Sequence, residues 1–182
     1  MLNKSVARRY AEAFFSIAQE QNKIDQFQQE LEKLVQIIEE TENLKEYLAH
    51  LLVPADEKKE IVAKIFTDQV STTTLNFLNI LIDKRRETYI TAIALEYRDM
   101  ADESRNIAKA DLIAAQEVSE EDVKMLAEKL SASMGKTVQL KVSVDPSLLG
   151  GVKIRLGDQI IDGTVAKKLA MLKEQLKQVK IS

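Results

Sequence analysis

Side chains that carry chemistry are scarce in this sequence. It has one histidine, His50, and no cysteine. Without cysteine there are no disulfides, thiolate zinc sites, iron–sulfur clusters or thiol nucleophiles. An imidazole that binds metal needs a second ligand at a fixed offset, such as a His or Glu four residues away on a helix. His50 lies in LAHLLVP, before Pro54, and has no such neighbour; the economical reading is a helix-terminal histidine facing the C-terminal dipole. The acidic pairs Glu39-Glu40 and Glu120-Glu121 diverge by about 100° on a helix and cannot hold one substrate between them. The glycines of GGVKIRLG match neither phosphate-cradling spacing and read as turn residues. Arg8-Arg9 and Lys84-Arg85-Arg86 are basic clusters without interleaved aromatics. A net charge of −3 and a pI near 5.4 oppose nucleic-acid binding, which needs a positive excess to displace phosphate counterions. No nucleophile, base and oxyanion donor can be assembled. The residues predict no catalytic, cofactor or metal site, and a scaffold rather than an enzyme.

The elements that carry these residues change character part-way along the 182-residue chain. Val6, Tyr10, Ala11, Phe14, Ile17 and Ala18 recur at three- and four-residue steps, which predicts an amphipathic helix from about Asn3 to Gln21. A second helix carries Ile24, Phe27, Leu31, Leu34, Val35 and Ile38, and a short third one Leu44, Tyr47, Leu48 and Leu51. Pro54 fits the first turn of a fourth, with Asp56 and Glu57 at its positive end. Ser71 and Thr72–Thr74 open a fifth helix through Lys84, and a sixth carries Tyr89 to Ala101. No glycine precedes Gly135, so short connections between antiparallel helices are expected: a six-helix bundle over residues 1–105.

From about Ser104–Ile107 onward the period shortens. Ala108, Ala110, Leu112 and Ala114 alternate with polar neighbours as in a half-buried strand. Ser119 and Asp122 resemble a capping box that opens a helix ending at Gly135. Val138, Leu140, Val142 and Val144 then alternate, as do Val152, Ile154 and Leu156. A Gly157-Asp158 turn of type II′ leads into Gln159–Asp162, and a last helix runs from about Thr164 to Val179. Residues 106–182 thus read as a small βαβββα domain. The fold class is α followed by α/β. Charge divides with it: 14 basic and 19 acidic residues before position 106 leave −5, and 12 and 10 after it leave +2.

Apolar side chains exceed what a surface helix needs in two places. Six of the eight residues Leu75–Ile82 are large and apolar, more than a stripe of somewhat over 100° requires. Behind the stripe of the first helix lie Ala7, Ala13 and Phe15. Two accounts remain open: both helices are central to the bundle, or their outer faces form a groove for an amphipathic partner helix. No apolar run approaches the roughly 18–20 residues that cross a bilayer. The N-terminal segment carries Glu12 and continues into a regular helix, unlike a transit peptide. Membrane association would come through a partner.

The chain resembles, over its whole length, the delta-subunit family of bacterial ATP synthases, whose mitochondrial relative is the oligomycin-sensitivity-conferring protein. Val6-Ala7-Arg8-Arg9-Tyr10-Ala11-Glu12-Ala13 is similar to the family's opening helix. More specific is the signature Val138-x-Leu140-x-x-x-Val144-Asp145-x-x-Leu148-x-Gly150-Gly151-Val152-x-Ile154-Arg155-x-Gly157, followed by Asp158, Ile161-Asp162-Gly163 and Thr164-Val165. The resemblance implies a noncatalytic stalk protein without cofactors, peripheral on the cytoplasmic face of the bacterial membrane. It implies that helices one and five grip N-terminal segments of alpha subunits; carried over, the groove residues are Tyr10, Ala13, Phe14, Phe77 and Ile80. It implies that the C-terminal domain binds the peripheral-stalk b subunits, with Leu148, Val152, Ile154, Leu169 and Leu172 as candidate contacts. Read from backbone chemistry alone, the signature residues Val144, Asp145, Gly150, Gly151, Arg155, Gly157, Asp162 and Gly163 are structural. The alternative is a free cytosolic helical adaptor or regulator.

Overall fold

The computed structural model describes residues 4–41, 43–157 and 159–179. Asn3, the expected start of the first helix, and Asp158, the second residue of the expected turn, lie outside them. The described residues form eight α-helices and one four-stranded sheet. Contacts divide the chain into two compact units, one ending at Ser104 and one beginning at Arg105.

The first unit holds α1 (Lys4–Glu20), α2 (Ile24–Glu40), α3 (Leu44–Ala49), α4 (Ala55–Phe66), α5 (Thr72–Asp83), a single 3-10 turn (Glu87–Tyr89) and α6 (Ile90–Ser104). Their apolar stripes converge on one core. At its centre the ring of Phe14 stacks on Phe27 with centroids 5.0 Å apart and on Phe77 at 4.3 Å, while Tyr97 tilts against it at 5.6 Å. Tyr97 is fully buried, and its hydroxyl donates to the Ile24 carbonyl at 3.1 Å. That bond sets the start of α2 beside the middle of α6, while Ile38 near the end of α2 shares a small pocket with Ile90 and Thr91 at the start of α6, so the two helices run antiparallel. A buried ion pair ties three further elements together: Lys58 of α4 reaches Glu87 of the 3-10 turn and the Leu48 carbonyl of α3.

Helix ends follow local chemistry. Ser71 caps α5 by accepting the Thr74 N–H at 3.4 Å. Pro54 is the cap residue before α4 and not its first-turn residue; with φ of −59° it closes the loop, and its carbonyl accepts the Lys58 N–H. His50 ends α3, where its Nδ1 accepts the Leu52 N–H at 3.3 Å. The ring thus serves a local turn, and the expected contact with the helix dipole is replaced by that bond.

The second unit holds β1 (Ile107–Ala114), α7 (Glu120–Met134), β2 (Thr137–Val144), β3 (Val152–Leu156), β4 (Gln159–Asp162) and α8 (Val165–Val179). Strand order is β2-β1-β3-β4, with β1 and β2 parallel and the other pairs antiparallel. Ser119 caps α7, accepting the Asp122 N–H at 3.1 Å and donating to that residue's carboxylate, and Gly135 ends the helix. Val123, Leu126 and Leu130 of α7 pack on Ala110, Leu112, Val138 and Ile154. The expected inward row of β2 is only half realised. Val138 is buried and Leu140 half-buried, but Val142 and Val144 are exposed. The α7 residues Val123, Leu126 and Leu130 cluster with Val138 and Leu140 only, so the far half of β2 lacks that cover. Leu156 pairs with Gln159 across a two-residue loop whose first residue, Gly157, has the positive φ that hairpin turns of this length require.

Candidate functional site

The five residues expected along α1 and α5 divide by burial. Phe14 is completely buried and Phe77 nearly so; as the stacked centre of the core, both are withdrawn from any partner, which corrects their expected place in a groove lining. The apolar excess of α5 has the same cause, since Leu78, Leu81 and Ile82 are also core. Ala13 and Ile80 are exposed, Ile80 at 49 %, and Tyr10 and Phe15 are half-buried. The two helices are joined through the buried Phe14–Phe77 stack, and each keeps part of the expected set at its surface: Tyr10 and Ala13 on α1, Ile80 on α5. On the exposed side of α1, Arg8 holds Glu12 at 3.0 Å, one turn away, and the hydrogen bond and charge of that carboxylate raise the guanidinium's pKa further.

In the second unit the signature residues meet where two loops cross. The Asp145 carboxylate accepts the Ser147 N–H at 3.0 Å, and the Asp162 carboxylate accepts the Thr164 N–H at 3.0 Å and its hydroxyl at 2.7 Å. Hydrogen bonds from Ser147 hold the first carboxyl below its ordinary pKa, and the Thr164 N–H and hydroxyl hold down the second. Gly163 N–H donates to the Val152 carbonyl and Val165 N–H to the Gly150 carbonyl. At Gly151, φ is +83° and a Cβ would lie 2.5 Å from the Gly163 carbonyl oxygen, so only glycine lets the strands pass this closely. Arg155 is exposed and its Nε donates to the Gly157 carbonyl at 3.4 Å. Asp145, Asp162, Gly150, Gly151, Gly163 and Arg155 thus hold backbone where the two loops meet.

Beside that crossing lies a surface of mixed polar and apolar character, with Gln116, Glu117 and Asp122 on its polar side. A cleft of about 500 Å³ is lined by Ala114, Ser119, Leu148, Leu149, Gly151 and Val152. Leu148 and Val152 are half-buried, while Ile154 belongs to the sheet core and is unavailable as a contact. Leu169 and Leu172 of α8 are 55 % and 53 % exposed; with Val165 they follow steps of four and three residues, the spacing of a helix–helix seam. Among the described residues no group of three or more His, Asp or Glu side chains could hold a metal ion, and no helix is long and apolar enough to cross a membrane.

Residues 6–176 match the family described as ATP synthase delta (OSCP) subunit. The chain belongs to that family. It is 71 % identical over its full length, and the full length of the relative, to the ATP synthase subunit delta of Syntrophomonas wolfei. It is 43 % identical to that of Desulforamulus reducens, with 97 % of each chain covered. Among solved structures, a chain of the Toxoplasma gondii mitochondrial ATP synthase hexamer superposes with a TM-score of 0.70 over 93 % of this chain and 96 % of that one; at 19 % identity the likeness is one of fold. As a delta-family subunit the chain is a peripheral-stalk component of an ATP synthase, which decides against a free adaptor. Leu169 and Leu172 are among the contacts expected from sequence; Val165, Met171, Leu149 and Ile160, also exposed apolars, are not. For Val165 the signal is the four-three spacing; for Leu149 and Ile160 no periodic signal exists, since one lies in a loop and neighbouring Ile160 and Ile161 on β4 are both exposed.

Proposed function

We propose that this delta-family subunit is a noncatalytic joint between the catalytic head and the peripheral stalk. The helical unit, as a six-helix bundle, grips alpha-subunit N-terminal segments along the outer edge of α1 and α5. The mixed unit binds b subunits through Leu169 and Leu172 of α8, with Leu148 and Val152 at the adjoining cleft. Rotary synthesis turns a central shaft inside the head, so the head must be held against co-rotation by an outer tether on the cytoplasmic side of the membrane. The observation that supports the reading is that Ala13 of α1 and Ile80 of α5 are exposed on two helices whose Phe14 and Phe77 rings stack at 4.3 Å. A small residue lets a partner backbone approach, and an exposed branched one supplies the anchor.

The test uses Ile80, because removing a buried ring such as Phe14 would cost about 3–5 kcal/mol of stability and confuse unfolding with lost binding. Ile80→Asp puts an unpaired charge at the contact while leaving the core intact. Calorimetric titration of the chain with an alpha N-terminal peptide should show affinity at least about tenfold weaker, or ~1.4 kcal/mol, with an unchanged far-UV spectrum. Equal affinity of variant and wild type would remove α1 and α5 as the site.

A further inference from the structure

We propose that a second furrow on the helical unit, between α2 and α6, docks a basic amphipathic helix from another protein chain. It lies apart from the α1–α5 edge and does not depend on that assignment. The furrow has a volume of about 280 Å³. One wall is Glu32, Val35, Gln36, Glu39 and Glu40 of α2, and the other Thr91, Ala94, Leu95 and Arg98 of α6. Both sets follow the three- and four-residue steps of one helix face, so the furrow runs along the helices for about two turns, or ~10 Å. Its floor is apolar: Val35 is half-buried, Ala94 is buried, and Leu95 stands 47 % exposed.

Charge specifies the occupant. Glu32, Glu39 and Glu40 are exposed, and none has an ion-pair partner among the described residues. Glu32 accepts only from Gln28 at 2.9 Å and Glu40 from Gln36 at 2.8 Å. Glu39 and Glu40 also occupy the last turn of α2, where the helix dipole disfavours anions, and that turn holds no basic residue. Helix stability therefore does not account for them, whereas a cationic partner does. Because α2 and α6 run antiparallel, Arg98 sits beside Glu32 at the far end, and its buried Nε has no hydrogen-bond partner. Two carboxylates thus stand at one end of the furrow, and a guanidinium with a single carboxylate at the other. A helix fits if its lysines and positive N-terminal end lie over Glu39 and Glu40 and its C-terminal carbonyls face Arg98. Two leucine-type side chains, one helical turn apart, would cover Leu95 and Val35.

The probe is a synthetic helical peptide of about 18 residues, built from Leu, Lys, Gln and Ala. Its leucines stand at i, i+3, i+4 and i+7 and its lysines in the N-terminal half; a peptide of scrambled order and equal composition is the control. Fluorescence anisotropy with the full chain should show saturable binding that weakens with added salt. Leu95→Glu and the double variant Glu39→Lys/Glu40→Lys should each weaken it at least about tenfold, the scrambled peptide should bind at least as poorly, and Ile80→Asp should leave it unchanged. All substituted positions are exposed, so thermal melts of the variants report whether folding is intact. Equal binding to wild type and both furrow variants, equal binding of the scrambled peptide, or loss only with Ile80→Asp overturns the proposal. So does a dimer of the chain alone, in sedimentation, that Leu95→Glu dissociates, since the occupant would then be a second copy.

Discussion

Glu30 shows how one side chain can join two helices. Its carboxylate on α2 accepts the hydroxyl of Ser71, the cap of α5, at 2.7 Å, and the hydroxyl of fully buried Thr74; Gln26 donates to its other oxygen at 2.7 Å. Partial burial alone would raise its pKa, but the hydrogen bonds from Thr74, Ser71 and Gln26 together outweigh it, and the net direction is downward. A depressed folded pKa means that the group's contribution is complete above the unfolded value, near 4.3, and is lost as pH falls through the folded one. Glu30→Gln should therefore lower the melting temperature at neutral pH, and the gap from wild type should close as pH falls from about 5 to 3. A gap that stays constant with pH would mean that the ionised carboxylate contributes nothing. His50 teaches the opposite lesson. A lone imidazole drew attention in the sequence, yet in the fold it completes one turn of backbone.

Among elements, the α3–α4–3-10 junction holds the most buried of the ion pairs among the described residues. Lys58 and Glu87 have side chains that are each 5 % exposed, so neither can recover solvation if the other is lost. Lys58→Met or Glu87→Gln alone should cost about 3–5 kcal/mol in urea unfolding, while Lys58→Met combined with Glu87→Leu should cost clearly less than the sum. Additive losses would show that the two groups act independently. This pair was not legible beforehand: Lys58 stands in a run of charged residues, Asp56 to Glu60, that reads as a solvated face. Only the return of the chain 29 residues later brings Glu87 to it. Helix caps are the contrasting case. Ser71, Ser119 and Gly135 were readable because a cap acts on residues one turn away.

At the scale of the molecule, contacts group into a helical unit ending at Ser104 and a mixed unit from Arg105, each with its own core. The second core is small, and no residue of α7 is fully buried. Expressed separately, residues 1–104 should fold cooperatively with most of their native helicity, and residues 105–182 should fold with the lower melting temperature. A fragment 1–104 that fails to fold would show that the helical unit depends on the mixed one. The sequence by itself determined the order and type of nearly every element, because period, caps and turn residues act within a few positions of one another. It also determined the family, through the signature around Gly150-Gly151 and Asp162-Gly163-Thr164. Tertiary structure alone decided which apolar side chains remain outside. Phe77 and Ile80 stand three residues apart in the same apolar run, and one is core while the other is surface. Period cannot separate them, because burial depends on which helices pack on either side.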